Sequence, residues 1–166
     1  MTKISRFFRH LFMTSAAARK AFPAQALQAI QATVAAGEKL HRAEVRLIIE
    51  PALPLGELLQ GTHSRARARE LFSLYRVWDT EENCGVLVYI NLADHKVEII
   101  ADRASGRALT PADWKCVCKT MTDGFAQGVY EQSVLAALEM LNGLLHQHFP
   151  GEGDSTNELS DRPLIV

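Results

Sequence analysis

Apolar positions recur along the chain with two periods, and the period separates helices from strands. Longer stretches place apolar residues three and four apart, which is typical of amphipathic helices, and shorter stretches alternate or are continuously apolar, which is typical of strands. The predicted helices cover residues 23–37, a stretch from about residue 64, and residues 110–128 and 131–150; the predicted strands cover residues 44–50, 85–91 and 96–102. The order of elements is therefore α-β-α-β-β-α-α.

This order predicts a three-layer α/β/α sandwich around a small mixed sheet, an α/β fold in one domain. A strand-helix-strand unit favours a right-handed parallel crossover. The short turn over residues 92–95 forces the last two strands into an antiparallel hairpin. In that hairpin Asn91 faces Lys96, and Gly85 faces Asp102.

The charged residues divide the chain into a domain and two ends. The 166 residues carry 18 Lys and Arg against 19 Asp and Glu. Residues 1–20 contain basic residues and no acid, whereas acids predominate in residues 151–166. We expect a basic amphipathic arm over residues 1–20, the α/β domain over residues 21–150, and an acidic disordered tail over residues 151–166.

Within the predicted arm, an apolar face opposes a basic one. The apolar residues recur at helical spacing and are the candidate contacts to a membrane or a partner: Phe7, Phe8, Leu11 and Phe12. A short basic amphipathic helix can lie on an anionic membrane surface. Docking on the domain or on a partner, or fraying, are the alternatives, because a ten-residue helix is marginally stable alone.

Composition and motifs exclude several classes of protein. A net charge of −1 gives no overall attraction to nucleic acid, so we expect no nucleic-acid partner. No apolar run is long enough for a membrane span, and an odd number of cysteines fits free thiols in a reducing compartment. We therefore expect a cytoplasmic protein, at the inner face of the membrane if the arm binds lipid. The motifs of phosphate loops, dinucleotide-binding domains, serine hydrolases and zinc proteases are absent from the sequence.

Acidic and amide residues come together at one end of the predicted hairpin. The loop over residues 78–83 precedes one strand, and Asp102 ends the next, so pairing of Gly85 with Asp102 brings both to one edge of the sheet. Carboxylate and amide oxygens are the ligands that Ca²⁺ and Mg²⁺ prefer. The alternative is structural: Arg103 neutralises Glu82, and Asp79 or Thr80 caps a turn.

A long motif spans this region. It covers residues 76–103 and reads R-V-W-D-T-E-E-N-C-G-V-L-V-Y-I-N-L-A-D-H-K-V-E-I-I-A-D-R. The motif resembles the TPM domain family, in particular its short bacterial branch without a transmembrane anchor. R-K-A-F-P-A-Q-A-L at residues 19–27, A-L-P-L at 52–55 and H-F-P at 148–150 also resemble that branch. The resemblance extends over about residues 15–150 and implies an α/β/α sandwich.

The resemblance implies more than one function. Some family members resemble calcium-binding proteins, a plant thylakoid member is assigned acid phosphatase activity and a role in photosystem repair, and an animal member is a receptor auxiliary subunit. Carried over to this chain, the acidic site consists of Glu82, Asn83 and Asp102 as ligands of Ca²⁺ or Mg²⁺, with Arg103 neutralising the charge of a phosphate.

The chain departs from the family pattern at two places: Cys84 stands where Asn is common, and Ala104-Ser105 replaces Gly-Ile. The sequence shows no nucleophile paired with a base. We therefore expect a non-enzymatic interaction or assembly module with an unidentified protein partner, in peripheral contact with a membrane, and with an optional Ca²⁺ or Mg²⁺ site. The alternative is a metal-dependent hydrolase similar to an acid phosphatase.

Overall fold

The computed structural model describes residues 3–151 and 157–166. Its helices are α1 (Lys3–Phe12), α2 (Ser15–Ala21), α3 (Ala24–Glu38), α4 (Leu55–Leu59), α5 (Ser64–Leu74), α6 (Arg103–Ala108), α7 (Pro111–Ala126) and α8 (Tyr130–His148). Its strands are β1 (Val45–Glu50), β2 (Val86–Asn91), β3 (Lys96–Ala101) and β4 (Leu164–Ile165).

The four strands form one mixed sheet in the order β3-β2-β1-β4. β1 lies parallel to β2 and to β4, and β2 lies antiparallel to β3. Asn91 pairs with Lys96 and Val86 with Ala101, so the predicted hairpin register is confirmed. The pairing of β1 with β2 is parallel, as predicted for strands joined through a helix.

Helices cover both faces of the sheet. Successive residues of a strand point to opposite sides, so a strand such as β2 with every residue buried needs a cover on each face. On one face, β1 and β2 contribute to the main core, together with residues of α3, α7 and α8: Leu47, Ile49, Val88, Ile90, Ile30, Val34, Val117, Met121, Leu138 and Leu141. On the other face, a smaller core joins the sheet to α5: Ile48, Leu87, Tyr89, Ala68 and Leu71. The predicted three-layer sandwich is confirmed.

Capping explains where α7 begins. The Thr110 hydroxyl accepts a hydrogen bond from the Asp113 amide, and the Asp113 carboxylate accepts one from the Thr110 amide. Pro111 occupies the first turn, where its missing amide proton costs nothing. The local sequence alone is sufficient for this helix start.

The predicted ends of the domain need correction. Helix α2 belongs to the domain and not to a separate arm, since its Ala18 lies in the main core. The prediction of a disordered tail over residues 151–166 is wrong for β4, which adds a fourth strand at the edge of β1. The apolar residues Leu164 and Ile165 are half-buried there. The sequence analysis missed this strand because the residues before it are mostly polar. Residues 152–156 of the predicted tail lie outside the described residues.

Candidate functional site

The candidate acidic site, defined as Glu82, Asn83 and Asp102, lies where the loop before β2 meets the start of α6. The Asp102 amide donates to the Gly85 carbonyl over 2.9 Å, and the Ala104 amide donates to the Asn83 carbonyl over 3.0 Å. The predicted meeting of the acidic loop with Asp102 is therefore present, at the amino end of β2.

The carboxylate of Asp102 caps α6. Its Oδ1 accepts from the Arg103 amide over 2.7 Å, whereas its Oδ2 is buried and has no hydrogen-bond partner among the described residues. The Arg103 side chain is exposed and takes part in none of the ion pairs between described residues. A carboxylate at a helix N-terminus is stabilised by the unpaired backbone amides and by the helix dipole. Capping of α6 therefore explains the position of Oδ1 but gives Oδ2 no partner.

The ion-pair partner of Glu82 is a residue that the sequence analysis did not identify. The Glu82 carboxylate forms an ion pair with Arg42, so the expected partner Arg103 is wrong. The other part of the structural alternative is confirmed, since the Thr80 hydroxyl accepts from the Cys84 amide over 3.1 Å and closes the turn.

Asn83 adopts a left-handed conformation with φ of 55°, which Asn tolerates better than most residues. Among the described residues, no three His, Cys, Asp or Glu side chains converge as metal ligands. Within the candidate acidic site, the buried Oδ2 of Asp102 is the oxygen that a cation could use, since it has no hydrogen-bond partner among the described residues.

A second polar cluster lies at the opposite edge of the sheet, in the turn after β2. Asp94 accepts from Arg6 Nε over 2.9 Å and Arg6 Nη2 over 2.8 Å, from His10 Nε2 over 3.0 Å and from the Ser64 hydroxyl over 3.2 Å. We call these four residues the Asp94 clamp. It attaches α1 to the domain through the polar face of the helix.

The hydrogen bonds of His10 fix its tautomer. The Leu53 amide donates to Nδ1 over 3.0 Å, so Nδ1 is an acceptor and the ring proton on Nε2 is donated to Asp94. Burial raises the pKa of Asp94, but the hydrogen bonds from Arg6 and His10 outweigh burial and hold this pKa well below its usual range. Asp94 is therefore a stable anion within the clamp.

Because the polar face of α1 binds the domain, its apolar face points outward. Phe8, Leu11 and Phe12 are 50%, 57% and 73% exposed, and we call them the outer face of α1. The rings of Phe8 and Phe12 stack with centroids 6.3 Å apart, and Phe7 is half-buried beside them. Three of the four candidate contact residues are thus available to a partner.

A second chain of hydrogen bonds runs from Asp94 of the clamp to Arg67 of α5. Arg67 binds the Glu50 carboxylate, with Nη2 2.8 Å from Oε1, and Glu50 also accepts from the Tyr89 hydroxyl. The Tyr89 oxygen accepts from Asn91 Nδ2 over 3.0 Å, and Asn91 Oδ1 accepts from the Asp94 amide over 2.8 Å. Burial, together with the nearby Glu50 charge, raises the pKa of Tyr89 well above its usual range, so its hydroxyl remains a donor.

The comparison with family models decides the classification. The model described as the TPM domain matches residues 17–144, which is more than half of the chain. The chain belongs to the TPM domain family. Among solved structures, the NMR structure of the BA42 protein from the psychrophilic bacterium Bizionia argentinensis is similar in fold, with a TM-score of 0.77. It is 21% identical, and the alignment covers 87% of this chain and 95% of that one. No curated protein matches the sequence.

In this TPM domain, the polar residues that the sequence analysis missed lie at the carboxyl ends of two parallel strands. Glu50 ends β1, and Asn91 ends β2. Ligands of α/β proteins usually bind at this edge. The signal that could have identified them is a polar residue directly after a buried apolar run.

Two hollows open along the same edge of the TPM domain. One, of about 370 Å³, lies between the outer face of α1 and the β2–β3 turn and is lined by Arg9, His95 and apolar groups. The other, of about 520 Å³, lies beside α2 and shares Met13 and Ala17 with the first. Among the described residues, no helix is long and apolar enough to cross a membrane.

Proposed function

We propose that this TPM domain is a non-enzymatic interaction module that docks on an anionic membrane surface through the outer face of α1. The observation that supports the proposal is the inverted orientation of this helix. Its Arg and His side chains bind Asp94, and its Phe and Leu side chains are exposed. Amphipathic helices of globular proteins ordinarily bury the apolar face. The outer face of α1 is instead exposed, and contact with another surface would remove its apolar side chains from water.

The Asp94 clamp makes such docking less costly. A free helix of ten residues is marginally stable in water, and a membrane that had to order it would offset part of the gain in binding. In this fold the helix is already ordered and its polar face already bound. Insertion of Phe8, Leu11 and Phe12 at the headgroup boundary then requires no refolding.

The charges around the outer face fit an anionic surface better than a neutral one. Residues 1–20 contain no acid, and Lys20 of α2 is exposed and lines the hollow that adjoins Phe8 and Phe12 through Met13 and Ala17. His95 lies on the same hollow as Phe8 and Phe12. Each basic residue held near an anionic leaflet contributes about 1 kcal/mol of attraction.

Vesicle flotation tests this function. The full chain is expected to float with vesicles that contain phosphatidylglycerol and far less with pure phosphatidylcholine. Replacement of Phe8, Leu11 and Phe12 by Ser is expected to abolish flotation. Leu74→Ser is the matched control, because Leu74 is 65% exposed at the far end of α5. Equal flotation of the wild type and the triple variant would contradict the proposal.

One observation favours a second candidate, a metal-dependent phosphatase that uses Ca²⁺ or Mg²⁺. Asp102 Oδ2 is buried without a hydrogen-bond partner among the described residues, beside the Asn83 backbone. Calcium and magnesium titration followed by NMR, on the wild type and Asp102→Asn, tests it together with an assay for phosphomonoester hydrolysis. Ion binding that depends on Asp102, with turnover of the ester, supports the phosphatase. The absence of any response at millimolar ion concentrations rejects it.

A further inference from the structure

We propose that the outer edge of β4 binds an extended acidic segment of a partner protein, which adds to the sheet as a further strand. The inference goes beyond membrane docking and does not depend on it, since no residue of the outer face of α1 lines this edge. Three features support it: the backbone groups at the sheet edge, a hollow beside them, and the charge of that hollow.

The outermost strand of the sheet presents backbone groups that no other described strand uses. β4 is last in the strand order, so one of its sides has no neighbouring strand among the described residues. The Val166 amide donates to the Ile49 carbonyl of β1 over 3.1 Å. Because the backbone groups of successive residues point to opposite sides of a strand, the amide and the carbonyl of Ile165 point away from β1. Ile165 therefore offers one donor and one acceptor to an added strand.

A hollow of about 900 Å³, which we call the β4 hollow, lies along this edge. Leu27, Gln28 and Gln31 of α3 line it from one face of the sheet. Arg46 of β1 lines it from the other face, where its guanidinium lies 5.9 Å from the centroid of the Tyr75 ring. Since both faces of the sheet contribute to its lining, the hollow passes the edge of β4 itself. Its volume is within the range of ligand sites.

The charge of the β4 hollow favours an acidic occupant. The described residues that line it include Arg19, Arg46 and Arg162 and no Asp or Glu. Arg46 is used inside the protein, since its Nη1 donates to the Arg162 carbonyl over 2.9 Å and the charge of Asp161 acts on it. Arg19 and Arg162 are exposed, and neither forms an ion pair with another described residue. These two guanidinium groups are therefore accessible to the carboxylates of a partner.

A second copy of this chain and a nucleic acid fit the β4 hollow less well. Pairing of two β4 edges would bring Arg19 and Arg162 of one copy towards the same residues of the other, and like charges repel. Single-stranded nucleic acids stack on aromatic side chains, and none of the described residues that line the hollow is aromatic. An extended acidic peptide satisfies both the backbone groups and the charge, as in other cases of strand addition to a sheet edge.

Titration of the full chain with a hexapeptide of alternating Glu and Val, blocked at both ends, tests this site by NMR. We expect the Glu peptide to bind at least about fivefold more tightly than the same peptide with Lys in place of Glu, as two exposed ion pairs allow. The Ile165 amide is expected to exchange its proton more slowly when the Glu peptide is bound. Equal affinity for the two peptides, or unchanged exchange at Ile165, would overturn the inference.

A Glu peptide that is N-methylated at every backbone amide separates strand pairing from charge. It keeps its carboxylates but cannot donate backbone hydrogen bonds, so it is expected to bind more weakly than the unmodified peptide. A short oligonucleotide of the same net charge is expected to bind weakly too. If either bound as tightly as the Glu peptide, charge alone would explain the binding and strand addition would be rejected.

The double variant Arg19→Gln with Arg162→Gln is expected to remove most of the preference for the Glu peptide. Arg69→Gln, which removes an exposed charge of α5, is the matched control and is expected to retain the preference. The Val166 amide, which donates to β1, reports by its hydrogen exchange whether β4 remains paired in each variant. A preference that persists in the double variant with β4 paired would overturn the inference.

The same NMR measurements identify a second copy if that is the occupant. Without peptide, exchange at the Ile165 amide is expected to be independent of protein concentration, and sedimentation is expected to show a monomer. Protection of this amide that increases with protein concentration, together with a dimer in sedimentation, would assign the β4 edge to self-association and overturn the acidic partner.

Discussion

Gly85 lies where the chain enters β2, directly against the backbone of the segment after α5. A Cβ atom at this position would lie 1.9 Å from the Val77 carbonyl oxygen. Since backbone on both sides must move to admit a methyl group, we expect Gly85→Ala to lower the free energy of unfolding by about 1–3 kcal/mol or more, as overpacking does. Urea unfolding followed by circular dichroism measures the change.

Gly143 provides the matched control for that substitution. It lies in α8, exposed to solvent, and a Cβ atom there would contact nothing within 4 Å. Gly143→Ala is expected to stabilise the protein by about 0.5–1 kcal/mol, because alanine restricts the unfolded chain and favours the helix. If both variants changed stability in the same direction, the close approach at Gly85 would not be the cause.

The thiol of Cys84 is expected to be inert in the native protein. It is buried and donates to the Arg42 carbonyl, and burial raises its pKa to about 11, so the reactive thiolate is rare at neutral pH. Cys116 is exposed. With Ellman's reagent we expect Cys116 to react at once in native protein and Cys84 to react after unfolding. Labelling of Cys84 in a native variant in which Cys116 and the partly exposed Cys118 are both replaced by Ser, at the rate seen in urea, would show that its burial is incomplete.

The partners of the candidate acidic site show how far sequence reasoning extends at this scale. The meeting of Gly85 with Asp102 could be predicted because it follows from the register of a short hairpin. The pairing of Glu82 with Arg42 could not, since the two residues are 40 positions apart and belong to no common local pattern. The same applies to Arg6 and Asp94, which are 88 positions apart.

At the scale of elements, α1 shows that the formation of a helix and the choice of the face that binds the domain are decided by different residues. The spacing of its apolar residues predicts a helix, and the helix is present over Lys3–Phe12. The spacing does not predict which face binds the domain. That choice depends on Asp94, which the β2–β3 turn places at the same edge of the sheet, where Arg6 forms an ion pair with it and His10 donates a hydrogen bond to it.

Asp94→Asn is therefore expected to undock α1 without unfolding the domain. Loss of the carboxylate leaves Arg6 and Arg9 facing each other with no counter-ion, and breaking a buried ion pair costs about 3–5 kcal/mol, less in a partly exposed cluster such as this one. Hydrogen exchange is expected to accelerate in the amides of α1 and to remain slow in β1 and β2. Asp123→Asn, which breaks an exposed pair with Lys119, is the control and should change neither.

The sign of the pH dependence of this docking follows from the same carboxylate. The pKa of folded Asp94 is lowered, so the stabilisation that it provides is present above its ordinary pKa and is lost as the pH falls below that value. In the wild type, exchange in α1 should accelerate in acid. Acceleration in alkaline solution instead would contradict the assignment to Asp94.

Glu38, which lies where α3, β1 and the C-terminal segment meet, gives stability the opposite dependence on pH. It accepts from the Val45 amide, and burial, followed by the nearby charges of Glu44 and Asp161, raises its pKa to about 9. The folded state therefore binds a proton that the unfolded state releases above its ordinary pKa of 4.5. Stability is fully present below that value and decreases as the pH rises towards 9.

Glu38→Gln removes this titration and retains the carbonyl acceptor for Val45. We expect the variant to match the wild type near pH 5 and to be more stable at pH 8, where the wild type must bury a charge or bind a proton. Thermal unfolding at both pH values measures the difference. A variant that loses stability equally at both would show that Glu38 acts through shape and not through its charge.

At the scale of the whole molecule, the layers and the central hairpin could be predicted from the pattern, because long periodic helices and continuous apolar strands carry strong signals. The short elements could not. α6 has six residues and β4 has two, which is too few for a period to appear. β4 is also specified by a distant contact, the pairing of Ile48 with Leu164, which no local property of residues 157–166 indicates.

The return of the chain end to β1 makes the last strand part of the cooperative unit, and two truncations separate its contributions. A chain that ends at Asp161 loses β4, whose half-buried Leu164 and Ile165 and edge hydrogen bonds are worth about 2–3 kcal/mol. A chain that ends at Gly151 also loses the Leu159 amide that binds the buried Glu44 carboxylate. The expected order of thermal stability is therefore the full chain, then the chain ending at Asp161, then the chain ending at Gly151. Equal thermal unfolding midpoints for all three chains would mean that the three strands β1, β2 and β3 are sufficient and that β4 does not contribute to stability.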